Sequence, residues 1–101
     1  MFKYAVLAQL EAKPGKEQEV EEFLKSALPL AQQEAGTTSW FALKMGPSRF
    51  GIFDTFAGEA GRTAHLNGPI AKALFSKAKE LFVTDPVIDT PEILAVKVPH
   101  A

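Results

Sequence analysis

The chain has no cysteine, two histidines, one tryptophan and one tyrosine among its 101 residues. Without cysteine there is no disulfide framework, no thiolate nucleophile and no sulfur-ligated metal. His65 and His100 alone make a multi-histidine metal site improbable. Neither sign of charge dominates: the net charge is -1, with Lys and Arg interspersed among Asp and Glu. There is no basic stripe to neutralise phosphates or anionic lipid, so nucleic-acid and membrane partners are not expected. No apolar run approaches membrane-spanning length. The N-terminus passes from Met1 straight into YAVLAQL without a basic region, a long apolar core or a small-residue cleavage pattern, which leads us to expect a cytoplasmic protein.

The composition, 47% hydrophobic and 23% charged, is that of a folded globular protein. A chain of 101 residues supports one hydrophobic core, so residues 1–101 are expected to form a single domain. Phe2 to Leu10 reads as a first strand, ended by the turn signal Ala12-Lys13-Pro14-Gly15. From Lys16 the apolar residues Val20, Phe23, Leu24, Ala27, Leu28 and Ala31 recur at helical spacing, with an acidic first turn and Gly36 as the stop. Pro29 lacks an amide donor and clashes with the preceding turn, so this helix should break near Leu28 into two unequal pieces.

Thr37 to Met45 and Arg49 to Phe56 are strand-like runs joined by Gly46-Pro47-Ser48, which suits a hairpin. Phe41, Leu43 and Met45 alternate with Trp40, Ala42 and Lys44. In the second run Phe50, Ile52, Asp54 and Phe56 alternate with Gly51, Phe53 and Thr55. Neither face is polar, and the chain has helix enough to cover only one of them. A second copy of the sheet is the expected cover for the other, which predicts a homodimer through the sheet face. Gly58 to Asn67 reads as a short helix, Gly68-Pro69 as a break, and Ile70 to Phe82 as a further helix with Ile70, Ala73, Leu74, Ala78, Leu81 and Phe82 inward. Pro86 and Pro91 make 85–92 a loop or irregular edge, and Ile93 to Val98 is expected as the last strand.

The order strand, helix, strand, strand, helix pair, strand predicts an α+β fold, the ferredoxin-like βαββαβ arrangement of an antiparallel sheet with its helices on one face. The chain resembles the antibiotic biosynthesis monooxygenase domain family of the dimeric α+β barrel superfamily. The resemblance rests on the Lys13-Pro14-Gly15-Lys16 turn into a Glu-rich helix and on Glu34 with Gly36 before the second strand. The phenylalanine-rich third strand ending at Asp54 to Phe56, and Ala64-His65, complete it. It implies paired sheets, a cavity between sheet and helices, and cofactor-free oxygenation of a phenol or quinol by O2, with a small aromatic metabolite as partner and no cofactor. His65 matches the histidine that many members place in this helical segment. The second histidine that many members carry after a Ser-Pro pair is missing, since Asn67-Gly68-Pro69-Ile70 stands there. The spacing typical of the haem-degrading branch is also absent.

Four residues are therefore site candidates. His65 is the candidate base, because a near-neutral pKa suits proton removal from a phenolic hydroxyl; the alternative is a histidine that only bonds the sheet. Asp54 is a carboxylate on an otherwise apolar face and needs a partner. A three-residue hairpin loop would set it opposite Trp40, whose indole N–H would be a natural donor. A cap for the following helix, or an ion pair with Arg62, is the preferred plainer role for Asp54. Trp40 would stack a flat ligand or fill core or dimer interface. Asn67 would bond substrate or stop its helix. Arg49 and Lys44 read as solvated charges, and His100 receives no role. The leading functional expectation is a cofactor-independent monooxygenase. The rival is a non-catalytic, small-molecule-binding or stress-associated dimer, and isomerase or processing chemistry at the same histidine is a third reading.

Overall fold

The computed structural model describes residues 3–99. Phe2, placed at the head of the first strand, and His100 lie outside the described residues. Strand β1 (Tyr4–Glu11) leads to helix α1 (Glu17–Ser26) and the short α2 (Leu28–Gln32). The hairpin of β2 (Thr37–Lys44) and β3 (Arg49–Phe56) follows, then α3 (Glu59–Leu66), α4 (Pro69–Leu81) and β4 (Val87–Asp89). The sheet has the order β2-β3-β1-β4 with antiparallel neighbours throughout. This is the expected ferredoxin-like arrangement.

The break in the first helical segment falls where proline requires it, with Pro29 in the opening turn of α2. Val20, Leu24, Ala27 and Ala31 are buried as the periodicity predicts, but Leu28 is exposed. The break resets the phase of the helix and turns this one position outward. The core lies between the sheet and the helices: Ala8, Leu10, Phe50 and Ile52 from the sheet meet Val20, Leu24, Ile70, Leu74, Ala78, Leu81 and Phe82. The opposite face of the sheet is apolar and has no cover from the described residues, with Phe41 at 53% exposure and Leu43 and Met45 also open. Lys44 and Arg49 are both exposed as expected; Lys44 contacts Glu21 at 3.4 Å and Arg49 donates to Gln9.

The last strand is shorter and earlier than expected. Val87–Asp89 pairs with β1, within the segment read as a loop, and Ile93 to Val98 is not a strand. Edge pairing continues through an isolated bridge between Tyr4 and Glu92, flanked by bonds from the Ala5 N–H to the Pro91 carbonyl and from the Ile93 N–H to the Lys3 carbonyl. Prolines are tolerated at a sheet edge where the missing donor would face outward, so Pro86 and Pro91 bracket the strand instead of excluding it. Beyond Ile93 the chain leaves β1 behind, and Leu94 is 89% exposed.

Two local devices set the positions of Thr37 and of helix α3. The β2 to β3 pairing skips Thr38, running Thr37 with Phe56 and then Ser39 with Thr55, an extra residue of the bulge type. The extra residue shifts Thr37 into register with Phe56, on the helix-covered side. The second device is a contact between Gly36 and Gly61, where α3 crosses the start of β2. A Cβ on Gly61 would lie 2.9 Å from the Gly36 carbonyl oxygen, and one on Gly36 would lie 2.8 Å from Gly61 Cα. Alanine at a helical glycine ordinarily adds about 1 kcal/mol of helix propensity. Here backbone occupies the space, so Gly61→Ala is expected to destabilise the fold by about 1–3 kcal/mol, read as a lower urea midpoint at unchanged slope.

Candidate functional site

Among all residues of α3 only His65 is buried, so the inward face of this helix delivers one imidazole. Its exposure is 7%, and that of Asp54 beneath it on β3 is 0%. His65 Nε2 lies 2.7 Å from Asp54 Oδ2, and Nδ1 lies 2.7 Å from Glu34 Oε1. Glu34 comes from the connection between α2 and β2, and its side chain is 17% exposed. The Thr37 hydroxyl donates to the same Oε1 at 2.7 Å. The imidazole is thus held between two carboxylates, one in the interior and one near the surface, with the Phe56 ring 5.2 Å away between centroids.

Two short contacts, one on each ring nitrogen, call for a proton in each. The row of three groups therefore holds two protons, either both on the imidazole or one on the ring and one on a carboxyl. Burial pushes the Asp54 carboxyl above its usual range, against the lowering effect of the His65 hydrogen bond and charge. Burial also works against a charge on His65, but the hydrogen bonds and charges of Asp54 and Glu34 outweigh it and hold the imidazole above its ordinary value. His65 sits in the last turn of α3, where the helix dipole adds to the stability of a cation.

The row separates two spaces. On the Asp54 side is an interior cavity of about 40 Å³ whose lining is largely aliphatic, including Val6, Ile52, Ile70 and Leu74, with Phe75 among the residues around it. On the Glu34 side is an outer cleft of about 280 Å³ lined by Glu34, Gly36, Gly61, Ala64, His65 and Gly68. Glu34 Oε2 and both oxygens of Asp54 are buried without a partner in hydrogen-bond geometry, Oδ2 meeting His65 Nε2 as a close ion-pair contact instead. Among the described residues no group of three or more His, Asp or Glu side chains is arranged to hold a metal ion, and no helix is long and apolar enough to cross a membrane.

The hairpin register is the expected one: Met45 N–H donates to the Arg49 carbonyl across the three-residue loop, and Trp40 pairs with Asp54. The indole to carboxylate bond is not made, however, because His65 meets Asp54 from the helix layer and Trp40 Nε1 is left without a partner. The preferred plainer role of Asp54 also fails. Helix α3 starts at Gly58 with no side-chain cap, and Arg62 stacks over the Tyr4 ring at 5.0 Å. Asn67 stands apart from the row, exposed at the end of α3, with its amide donating to the Thr63 carbonyl at 2.9 Å.

Glu34 is not among the four candidates read from the sequence, although the sequence holds a signal for it. It is the only acidic residue between Glu22 and Asp54, and it stands at the C-terminal end of a helical segment, where the dipole disfavours a carboxylate. A carboxylate so placed needs another reason to be there.

The electrostatics set a pH dependence of stability. Both raised pKa values mean that the folded state binds more protons than the unfolded chain. The His65 contribution is complete below about pH 6.5 and is lost as pH rises through its higher folded value, while that of Asp54 has the same sign and is lost from about pH 3.9 upward. Thermal unfolding is expected to move to lower temperature as pH rises above about 6.5, and the double variant His65→Ala/Asp54→Asn should flatten this slope. His65→Ala alone strands a buried carboxylate and is expected to cost about 3–5 kcal/mol in denaturant titrations.

No model of a known protein family matches the chain, and no curated protein matches it. Solved structures do. The NE2512 protein of unknown function from Nitrosomonas europaea is 57% identical, with a TM-score of 0.95 over 100% of this chain and 98% of that one. A "putative antibiotic biosynthesis monooxygenase" from the same organism has a TM-score of 0.79 at 14% identity, covering 91% of this chain and 90% of its own. A protein of the same description from Chloroflexus aurantiacus has a TM-score of 0.71 at 14% identity, over 95% and 97% of the two chains. Those distant likenesses establish the fold, and the close one the kinship: the chain belongs to the family of the Nitrosomonas europaea NE2512 protein and is built on the ferredoxin-like fold shared with proteins named as antibiotic biosynthesis monooxygenases.

Proposed function

We propose that this protein is a cofactor-independent monooxygenase that oxidises a small aromatic phenol or quinol with O2, removing the hydroxyl proton at the His65–Asp54 pair. The observation that carries this reading is a buried imidazole–carboxylate pair set in the wall of an otherwise largely aliphatic cavity. Proton removal makes the ring an electron-rich anion that O2 can oxidise directly. The ring loses its hydroxyl hydrogen and one carbon-bound hydrogen and gains one oxygen atom, and the second oxygen atom leaves with those hydrogens as water. The substrate supplies all the electrons, so the balance needs no added reductant. Trp40 packs against the core beside this region, and Asn67 lies at the end of the helix that carries His65; both belong to the proposal as residues shaping access.

The protein acts in this reading as a homodimer joined through the open sheet face. The support is the apolar surface there, Phe41, Leu43 and Met45, larger in character than the scattered apolar residues of an ordinary monomer surface. Phe41→Glu is expected to convert a dimer to a monomer in light scattering. A monomeric wild type would remove this part of the proposal.

A second reading, a non-catalytic small-molecule-binding dimer, draws on one observation. The interior cavity of about 40 Å³ is well below the roughly 150 Å³ that accommodates benzene. A ring would fit there only if residues around the cavity, among them the half-exposed Phe75, moved. Oxygen uptake by metal-free protein across a panel of dihydroxyaromatic compounds separates the readings. Uptake lost in His65→Ala is the expected result. Uptake unchanged in that variant would remove the pair from the chemistry, and silence across the panel would favour the binding dimer.

A further inference from the structure

Resting on the proton-removing function proposed for this site, we infer that Asp54, through Oδ1, is the group that takes the substrate proton, and that Glu34 is a positioning residue that keeps His65 an imidazolium beside the anion so formed. The free lone pairs distinguish the two groups. Both nitrogens of His65 are engaged at 2.7 Å, one by each carboxylate. A doubly donating ring has no lone pair with which to accept a proton. Asp54 differs: neither of its buried oxygens has a partner in hydrogen-bond geometry, Oδ2 lies 2.7 Å from His65 Nε2 as a close ion-pair contact, and Oδ1 is the oxygen left without any contact to the ring, on a residue that lines the interior cavity. A buried carboxylate oxygen without a donor is costly, and a hydroxyl group entering that cavity supplies the donor.

Glu34 completes the arrangement from the other side. Its Oε1 accepts from both the Thr37 hydroxyl and His65 Nδ1, which hold it against the ring. The skipped pairing at Thr38 is what places Thr37 for this bond. In the step itself the substrate O–H bond breaks and an O–H bond forms at Asp54 Oδ1. The negative charge moves from Asp54 to the substrate oxygen. His65 keeps both protons throughout, and the anion is created beside a fixed cation instead of next to a second anion.

The test uses the whole chain and 4-nitrophenol, a chromogenic phenol whose ionised form has its own absorption band, at a pH below the pKa of the free compound. Wild type is expected to bind it as the phenolate. In Asp54→Asn the bound ionised fraction should fall by about tenfold or more, with Asp54→Ser as the second variant should the first fail to give a folded amide spectrum. Glu34→Gln should lower the ionised fraction without changing affinity for the neutral probe, and Glu34→Asp should restore part of it. Nitrogen-15 spectra of the His65 ring, assigned with His100→Gln, should show both ring nitrogens protonated at pH 7 in wild type and one neutral tautomer in Glu34→Gln. Phenolate formation that survives Asp54→Asn and Asp54→Ser overturns the assignment of the base. A neutral wild-type ring overturns the role of Glu34. A probe bound only as the neutral phenol, or not bound at millimolar concentration, overturns the inference as a whole. Phenolate formation with no oxygen uptake from any dihydroxyaromatic compound sinks the oxygenase reading and leaves Asp54 as the base.

Discussion

A carboxylate carried from water into a protein interior costs several kcal/mol unless other groups replace its hydration. Asp54, with no exposed surface in the middle of β3, is such a group. Its neighbours on the same strand face are Phe50, Ile52 and Phe56, which offer it nothing. The compensation comes from the helix layer as the imidazole of His65. That imidazole then brings in Glu34, whose position on the loop before β2 depends in turn on Thr37. One desolvated charge thus ties together β3, α3 and the entry to β2. Replacing such a network with apolar residues can be neutral for stability in general, so cohesion alone does not account for its presence.

The geometry needed to close this network is made by small residues. Gly36 and Gly61 let α3 approach the start of β2 until their backbones touch. Pro29 ends α1 early, so that the short α2 and its exit lead Glu34 back over α3. The extra residue at Thr38 corrects the alternation of β2, which would otherwise point Thr37 away from Glu34. None of these features belongs to the row itself, yet each helps to set a distance within it.

Much of this could be read in the sequence. The break at Pro29, the Gly-Pro-Ser hairpin with Trp40 opposite Asp54, the inward turn of His65 and the break before Pro69 all follow from local rules of spacing and backbone chemistry. What escaped was non-local. A carboxylate selects its partner by three-dimensional proximity, so local rules assign Asp54 to the cross-strand Trp40 or the nearby Arg62, when its partner sits on the next layer. Glu34 is separated from His65 by 31 residues, and only the Gly36 to Gly61 crossing brings them together. The last strand differs from expectation for another reason. Ile93 to Val98 has the composition of a strand, but the register set by Val87–Asp89 already brings Glu92 opposite Tyr4, the first residue of β1, so the residues after Ile93 run past its start.

The double engagement of the His65 ring also orders the routes by which related sequences can diverge. Loss of the histidine first would strand two buried or half-buried carboxylates, whereas replacement of Asp54 by a neutral residue of similar shape leaves a ring still anchored by Glu34. Substitution at 54 is therefore the permissive step and substitution at 65 the later one. Family members that retain the fold without the whole row should carry a neutral residue on β3 more often than they carry Asp54 beneath a helix without its histidine. The network works as a ratchet: it can be dismantled from the strand outward, and hardly at all from the helix inward.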